Sequence, residues 1–169
     1  VASCVNLPLI CDADTGYGNV VGVRRTIEEF EAAGVAAIHM EDQISPKRCA
    51  QLPGDRSVLP FREAVAKIEA AVAARKDDQF MIIARTDSVG AEGLAAGIAR
   101  AQAFQKAGAD AVFVELKAHP GLLDDLKQIS EALSIPCTVN IDAGGPLLGL
   151  PAAQLHTHGV ALALSLIHI

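Results

Sequence analysis

Short apolar runs recur along the chain at residues 7–11, 35–40, 80–84, 111–114, 136–139 and 160–164. Runs this short with little polar alternation are the pattern of strands covered on both faces of a parallel sheet. Between them the apolar positions change to helical spacing: Val20, Val23, Ile27 and Phe30; then Phe61, Val65, Ile68 and Val72; then Leu94, Ile98 and Ala101; then Leu122, Leu126, Ile129 and Leu133. Gly34 and Gly108 follow two of these stripes where a left-handed helix cap is expected. Pro60 is placed for the first turn of the second helix. Strand and helix alternate throughout, which predicts an α/β fold with a parallel sheet. No linker interrupts residues 1–164, read as one domain; residues 165–169 form an atypical tail.

Two internal echoes narrow the architecture. Phe30, Ala33, Gly34, Ala37, Ile38, Met40 and Glu41 match Phe104, Ala107, Gly108, Ala111, Val112, Val114 and Glu115 position for position. Leu7-Pro8 leading to Asp12 resembles Ile135-Pro136 leading to Asn140. Repeated helix–glycine–strand units with a polar residue at the strand end predict a (β/α) barrel. The rival is an open doubly wound sheet. It lacks a phosphate-binding fingerprint here, because Gly16-x-Gly18 has no third glycine and follows two aspartates.

In a barrel the C-terminal strand ends ring one mouth, and chemistry takes place there. Those ends carry Asp12 and Asp14, Glu41 and Asp42, Arg85 and Asp87, Glu115, and Asn140 and Asp142. Asp42 and Asp87 read as caps or scaffold. Asp12, Asp14 and Glu41 would repel one another unless a hard cation joined them, so Mg²⁺ is expected there. Arg85, a cation at a strand end, needs an anionic partner, and a substrate carboxylate or phosphate would supply one.

Glu41 and Arg85 are 44 residues apart, against 29, 30 and 25 for the intervals 12–41, 85–115 and 115–140. The surplus is one long loop from Gln43 to Arg56, of the size used for lids. Its cysteine, Cys49, stands near Lys47 and Arg48, whose charges draw anions; spacing alone leaves open whether that thiol works or is incidental. Cys11 and Cys137 read as small core residues. His39 reads as an interior or packing residue of its strand.

Composition excludes several classes. Of 169 residues 51% are hydrophobic and 20% charged, which is too apolar for a disordered chain. Fourteen basic against 20 acidic residues give a net charge of -6, and no basic stripe marks a nucleic-acid partner. No apolar run reaches membrane-spanning length and no signal-type leader is present, so no membrane partner is expected. Four scattered cysteines without a CxxC pair fit a reducing, cytoplasmic setting.

Asp12-Ala13-Asp14-Thr15-Gly16-Tyr17-Gly18-Asn19, His39-Met40-Glu41-Asp42-Gln43, Lys47-Arg48-Cys49, Ala84-Arg85-Thr86-Asp87 and Val114-Glu115 together resemble the isocitrate lyase and phosphoenolpyruvate mutase superfamily. The resemblance reaches to about Leu164. It implies a modified (β/α)8 barrel acting on small α-oxy-carboxylates with Mg²⁺, or Mn²⁺ in its place. Asp12 is then the main metal ligand, with Asp14 and Glu41 holding the ion directly or through its waters. Arg85 and Glu115 would be catalytic together with Cys49, Arg85 binding a substrate carboxylate and Glu115 lining the pocket with Asn140. The substrate surroundings would comprise Asp12, Lys47, Arg48, Cys49, Ala50, Arg85, Glu115, Asn140, Ile141 and Asp142. Cys49 would be a general acid on the gating loop, as in the lyase branch. That branch usually continues Gly-His where this chain has Ala50-Gln51.

The expected activity is a Mg²⁺-dependent carbon–carbon lyase on a 2-hydroxy di- or tricarboxylate such as 2-methylisocitrate. The alternatives are oxaloacetate decarboxylation, mutase or hydrolase chemistry on phosphoenolpyruvate or phosphonopyruvate, and a non-catalytic barrel fragment. A full barrel needs about 250 residues, so the chain is expected to be a partial barrel, roughly strands 3 to 8, and poorly active alone. The resemblance also implies a homo-oligomer at full length.

Overall fold

The computed structural model describes residues 2–49, 56–142, 145 and 147–165. Six strands form one sheet: β1 (Ile10–Asp12), β2 (Ala37–Glu41), β3 (Met81–Thr86), β4 (Ala111–Val114), β5 (Cys137–Ile141) and β6 (Val160–Ser165). Each pairs in parallel with the next, so the spatial order is the chain order. A doubly wound sheet must reverse its order at a switch point, and this one does not, which removes the rival fold.

The sheet curls. Ile10 of the first strand and Leu162 of the last both pack against one cluster of Ala37, Ile83, Ala111 and Phe113. In a flat sheet with strands about 4.8 Å apart the outer two would be far out of reach of a shared cluster. The molecule is thus an arc of a (β/α)8 barrel, with that cluster on its concave face.

The helices are α1 (Val20–Ala32), α2 (Phe61–Ala74), α3 (Val89–Glu92), α4 (Leu94–Lys106), α5 (Leu122–Glu131) and α6 (Ala152–Thr157). Their apolar stripes meet the convex face of the sheet. Val23, Ile27, Ile68 and Phe104 pack with Ile38, Met40 and Ile82 in the main core. Each such side chain contributes roughly 1.5–3 kcal/mol through burial. Further along, Leu122 and Leu126 pack with Val139 and Val160.

Local signals explain most of the boundaries. Asn19 caps α1, its side-chain oxygen accepting from the backbone of Val21 at 3.0 Å and Gly22 at 3.3 Å. Gly34 and Gly108 take the left-handed backbone predicted for them, at φ 78° and 96°. Three details differ from the sequence reading. Pro60 is the N-cap of α2 rather than its first helical residue. The first strand begins at Ile10, and Leu7 is exposed; Pro8, which cannot donate to a ladder, precedes it. The one-turn helices α3 and α6 are too short to show a period. Ser165 pairs with Ile141 in the sheet, while residues 166–169 of the expected tail lie outside the described residues.

Candidate active site

Alternation along the strands decides which polar residues face the concave side. Asp12 stands beside His39, Glu41 beside Arg85, Arg85 beside Phe113 and Phe113 beside Thr138. Phe113 and Ile83 belong to the concave cluster, so the residues two further along, Glu115 and Arg85, aim the same way. Asp12, His39, Glu41, Thr138 and Asn140 follow by the same rule. Polar groups from five strand ends therefore share one mouth.

The loop after β1 is fastened tightly. Asp14 and Tyr17 have positive φ, at 48° and 53°. Asp12 Oδ1 accepts the Asp14 amide at 2.8 Å, and the Glu41 amide donates to the Asp14 carbonyl at 2.8 Å. Behind the loop, Lys67 donates to the Thr15 carbonyl at 2.9 Å and Thr26 to the Gly16 carbonyl at 3.1 Å. Lys67 is buried, and burial lowers its pKa.

Gly16 has φ 83°, and a Cβ there would lie 2.6 Å from both Met40 Sδ and Val23 Cγ2. Gly16→Ala should therefore destabilise the protein by about 1–3 kcal/mol through overpacking and backbone strain. A fall in the urea midpoint with an unchanged slope would record it.

Three carboxylates converge on one ammonium. Lys47 Nζ contacts Asp14 Oδ1 directly, lies 3.1 Å from Asp12 Oδ2 and stands 3.9 Å from Glu41 Oε1. Burial would raise the pKa of Asp12, but the Asp14 amide, His39 and Lys47 carry it below the ordinary value. Burial raises that of Glu41 against the pull of Arg85 and Lys47. Lys47 itself is shifted upward, its carboxylate partners outweighing burial. His39 is shifted downward, chiefly by burial, and its Nδ1 is 3.8 Å from Asp12 Oδ1. Among the described residues no three His, Cys, Asp or Glu side chains are gathered as they would be around an ion; the lysine holds the central position. The donor set is all carboxylate oxygen, which suits a hard divalent cation, and the point of convergence already carries a positive charge. In the chemistry of their donors, though not in a gathered arrangement, Asp12, Asp14 and Glu41 fit the expected metal.

The floor of the mouth is a charge network. Arg85 bonds Asp87 through Nε at 3.0 Å and Nη2 at 2.9 Å, and it lies 3.5 Å from Glu41 and 3.6 Å from Glu115. Its guanidinium also covers the Phe113 ring at 4.7 Å. Arg56 contacts Asp87 and reaches Glu115 at 3.0 Å. Beneath, Asp42 accepts from Thr86 at 2.7 Å and from the Asp87 amide at 2.9 Å, and pairs with Arg100 at 3.3 Å. Asp42 and Asp87 are scaffold, as their sequence reading anticipated.

The loop from Gln43 to Arg56 is pinned at its neck. Gln43 and Val58 form an antiparallel bridge, the Ile44 amide donates to Ser57 at 3.0 Å and the Leu59 amide to Asp42 at 2.8 Å. Gln43 also donates to Glu41 at 2.9 Å and accepts the Arg48 amide at 2.9 Å. Cys49 is exposed, and Ala50 lies outside the described residues.

On the far side Asn140, Ile141 and Asp142 are half-buried, and Asn140 and Asp142 line a cleft with Glu115 and Leu147. Burial and the nearby Glu115 raise the pKa of Asp142. His39 Nδ1, Thr138 Oγ1, Asn140 Oδ1 and Asp142 Oδ1 are buried without a hydrogen-bond partner. Each such orphan costs about 1–3 kcal/mol unless a ligand or water satisfies it. The sequence reading gave no role to Arg56, Lys67 and Arg100, whose partners are remote in sequence, nor to Gln43, whose partners are Glu41 and the Arg48 amide close by.

Comparison with known proteins agrees with this geometry. The family model described as phosphoenolpyruvate phosphomutase matches residues 1–165. A 2-methylisocitrate lyase of Shewanella oneidensis is 46% identical over 145 residues, covering 86% of this chain and 48% of the relative. The crystal structure of a phosphoenolpyruvate phosphomutase from Streptomyces platensis subsp. rosaceus superposes with a TM-score of 0.87 at 34% identity, covering 96% of this chain and 56% of that one. A phosphonopyruvate hydrolase complexed with oxalate and Mg²⁺ superposes with a TM-score of 0.81 at 32% identity, covering 96% and 55%. The chain spans about half the length of the curated relatives it matches. With the motif set, the barrel arc and these matches together, the chain belongs to the phosphoenolpyruvate phosphomutase family, within the isocitrate lyase and phosphoenolpyruvate mutase superfamily.

Proposed function

We propose that this chain carries most of the active site of a Mg²⁺-dependent carbon–carbon lyase acting on a 2-hydroxy di- or tricarboxylate such as 2-methylisocitrate. The observation that carries the reading is the convergence of Asp12, Asp14 and Glu41 on a single cationic position beside Arg85. The lyase named among its relatives supports it. Asp12, Asp14 and Glu41 would hold the ion, which supplies Lewis-acid stabilisation of negative charge on the substrate's oxygens.

Arg85 receives a substrate carboxylate and is kept in place by its two bonds to Asp87. A base takes the proton of the substrate hydroxyl, the adjacent carbon–carbon bond breaks, and an α-keto acid leaves. The other fragment departs with the bonding pair and takes a proton from Cys49 once the lid has closed. Thr138, Asn140 and Asp142 offer their orphaned oxygens to substrate polar groups. The described residues include no helix long and apolar enough to cross a membrane, and four free thiols suit a reducing cytoplasm.

A decarboxylase or hydrolase of oxaloacetate is the second reading, favoured by the exposure of Cys49, since such chemistry needs no lid acid. Incubation with Mg²⁺ and methylisocitrate, isocitrate, oxaloacetate or phosphonopyruvate, followed by proton and phosphorus NMR, separates them. Pyruvate plus succinate from methylisocitrate is expected. Turnover of oxaloacetate alone would establish the second reading, and turnover of phosphonopyruvate alone would overturn both.

A further inference from the structure

Arg85 alone is a poor anion receptor in this site. Both of its bonded nitrogens are committed to Asp87, and Glu41 and Glu115 stand within 3.6 Å. Three carboxylates around one guanidinium leave a negative surplus that would repel an incoming dianion. The second guanidinium changes this. Arg56 contacts Asp87 and holds Glu115 at 3.0 Å, and its side chain is only 9% exposed. With Glu41 facing Lys47 at 3.9 Å, Arg85, Asp87, Arg56 and Glu115 form a closed ring of two positive and two negative groups. Glu115 sits between the two guanidiniums, bonded to Arg56 at 3.0 Å and 3.6 Å from Arg85, which shows that the pair can share one carboxylate.

Arg56 is also anchored where it stands. It precedes the Ser57–Leu59 side of the loop neck, whose backbone bonds tie it to Asp42 and Ile44. Its charge therefore belongs to the floor of the mouth.

We infer that Arg56 is a specificity-determining residue, supplying with Arg85 the second positive charge that lets the mouth accept a doubly charged carboxylate. This rests on the carboxylate-binding reading given above. A substrate carboxylate enters on the open side of the ring and is drawn by the two guanidiniums together. Removing Arg56 turns a neutral ring into a negative one, and the resulting repulsion grows with the charge of the ligand.

The test is calorimetric titration of the protein, in fixed excess Mg²⁺, with oxalate as dianion and pyruvate as monoanion. Arg56→Ala should weaken pyruvate by about tenfold and oxalate by about a hundredfold, since the Coulomb term scales with ligand charge. Arg56→Lys should recover most of the oxalate affinity. Circular dichroism checks that the variants are folded; if Arg56→Ala is not, Arg56→Gln carries the same comparison. A merely structural Arg56 would shift both ligands equally or neither, and that result overturns the inference while leaving the proposed function intact. If the unaltered protein binds neither ligand, the carboxylate-binding reading fails and this inference fails with it.

Discussion

Replacing Cys49 by serine will reduce lyase turnover by about 10²–10⁴-fold, the range for losing a positioned general acid, and leave Mg²⁺ affinity unchanged. Serine has nearly the same shape, but its hydroxyl gives up a proton far less readily than a thiol. Cys49 is exposed, and two residues before it Lys47 reaches the carboxylates of Asp12 and Asp14. Two residues of chain span at most roughly 7 Å, so residue 49 stays within that reach of the Lys47 backbone, whose side chain meets the carboxylates. Steady-state turnover by NMR and Mg²⁺ titration by calorimetry check the two halves separately. Turnover equal to that of the unaltered protein would remove Cys49 from the reaction. A parallel loss of Mg²⁺ binding would mean that the substitution disturbs the loop itself.

Arg100→Ala will cost about 3–5 kcal/mol of stability at pH 8, the usual consequence of stripping one partner from a buried ion pair. Arg100 and Asp42 are each 3% exposed. Arg100 reaches Asp42 at 3.3 Å and Glu92 at 2.9 and 3.1 Å, and stacks on Phe61 at 5.8 Å. Without it the Asp42 carboxylate remains buried with hydroxyl and amide donors alone. Burial already pushes the Asp42 pKa up to about 6, with Thr86 and Arg100 opposing.

A carboxyl group whose pKa is higher in the folded state binds more protons folded than unfolded. Its contribution is therefore most favourable at low pH and is lost as pH rises through the folded value. Removing Arg100 raises that value further and widens the window. The deficit should accordingly be smaller at pH 5 than at pH 8, as urea denaturation at the two pH values will show. A deficit equal at both would mean that removing Arg100 leaves the Asp42 pKa where it is. Turnover should fall as well, because Asp42 holds the Asp87 amide, and Asp87 orients Arg85.

Much of the fold was legible because it is periodic. Ile82 lies in an unbroken apolar run, Ile38 and Met40 in one broken only by His39, and Val23 and Ile27 repeat at helical spacing, so layer and face could both be read. Asp12, Glu41, Arg85, Glu115 and Asn140 were legible for a related reason: a barrel places every strand end at one mouth. What escaped notice was long-range pairing. Arg56 looks like a solvated loop charge until folding brings it to Asp87 and Glu115, which follow it by 31 and 59 residues. Lys67 and Arg100 look like surface charges on helices, yet both are buried against backbone or carboxylate from other elements. Lys47 was expected beside a substrate and is found amid the three carboxylates. Spacing left the role of Cys49 open, and only the family resemblance assigned one.

The bridge between Gln43 and Val58 bears on how such an enzyme can diversify. The two ends of the lid are clipped to each other and to Asp42, and Lys47 and Arg56 are tied to the mouth, so variation in the sequence between Cys49 and Arg56 is the least constrained by the fold. A flexible insert that doubles the lid's length costs only about 0.6 kcal/mol in closure entropy. One barrel arc can thus present different reagents to the same bound carboxylate, with new chemistry arising by exchanging the cover rather than rebuilding the vessel.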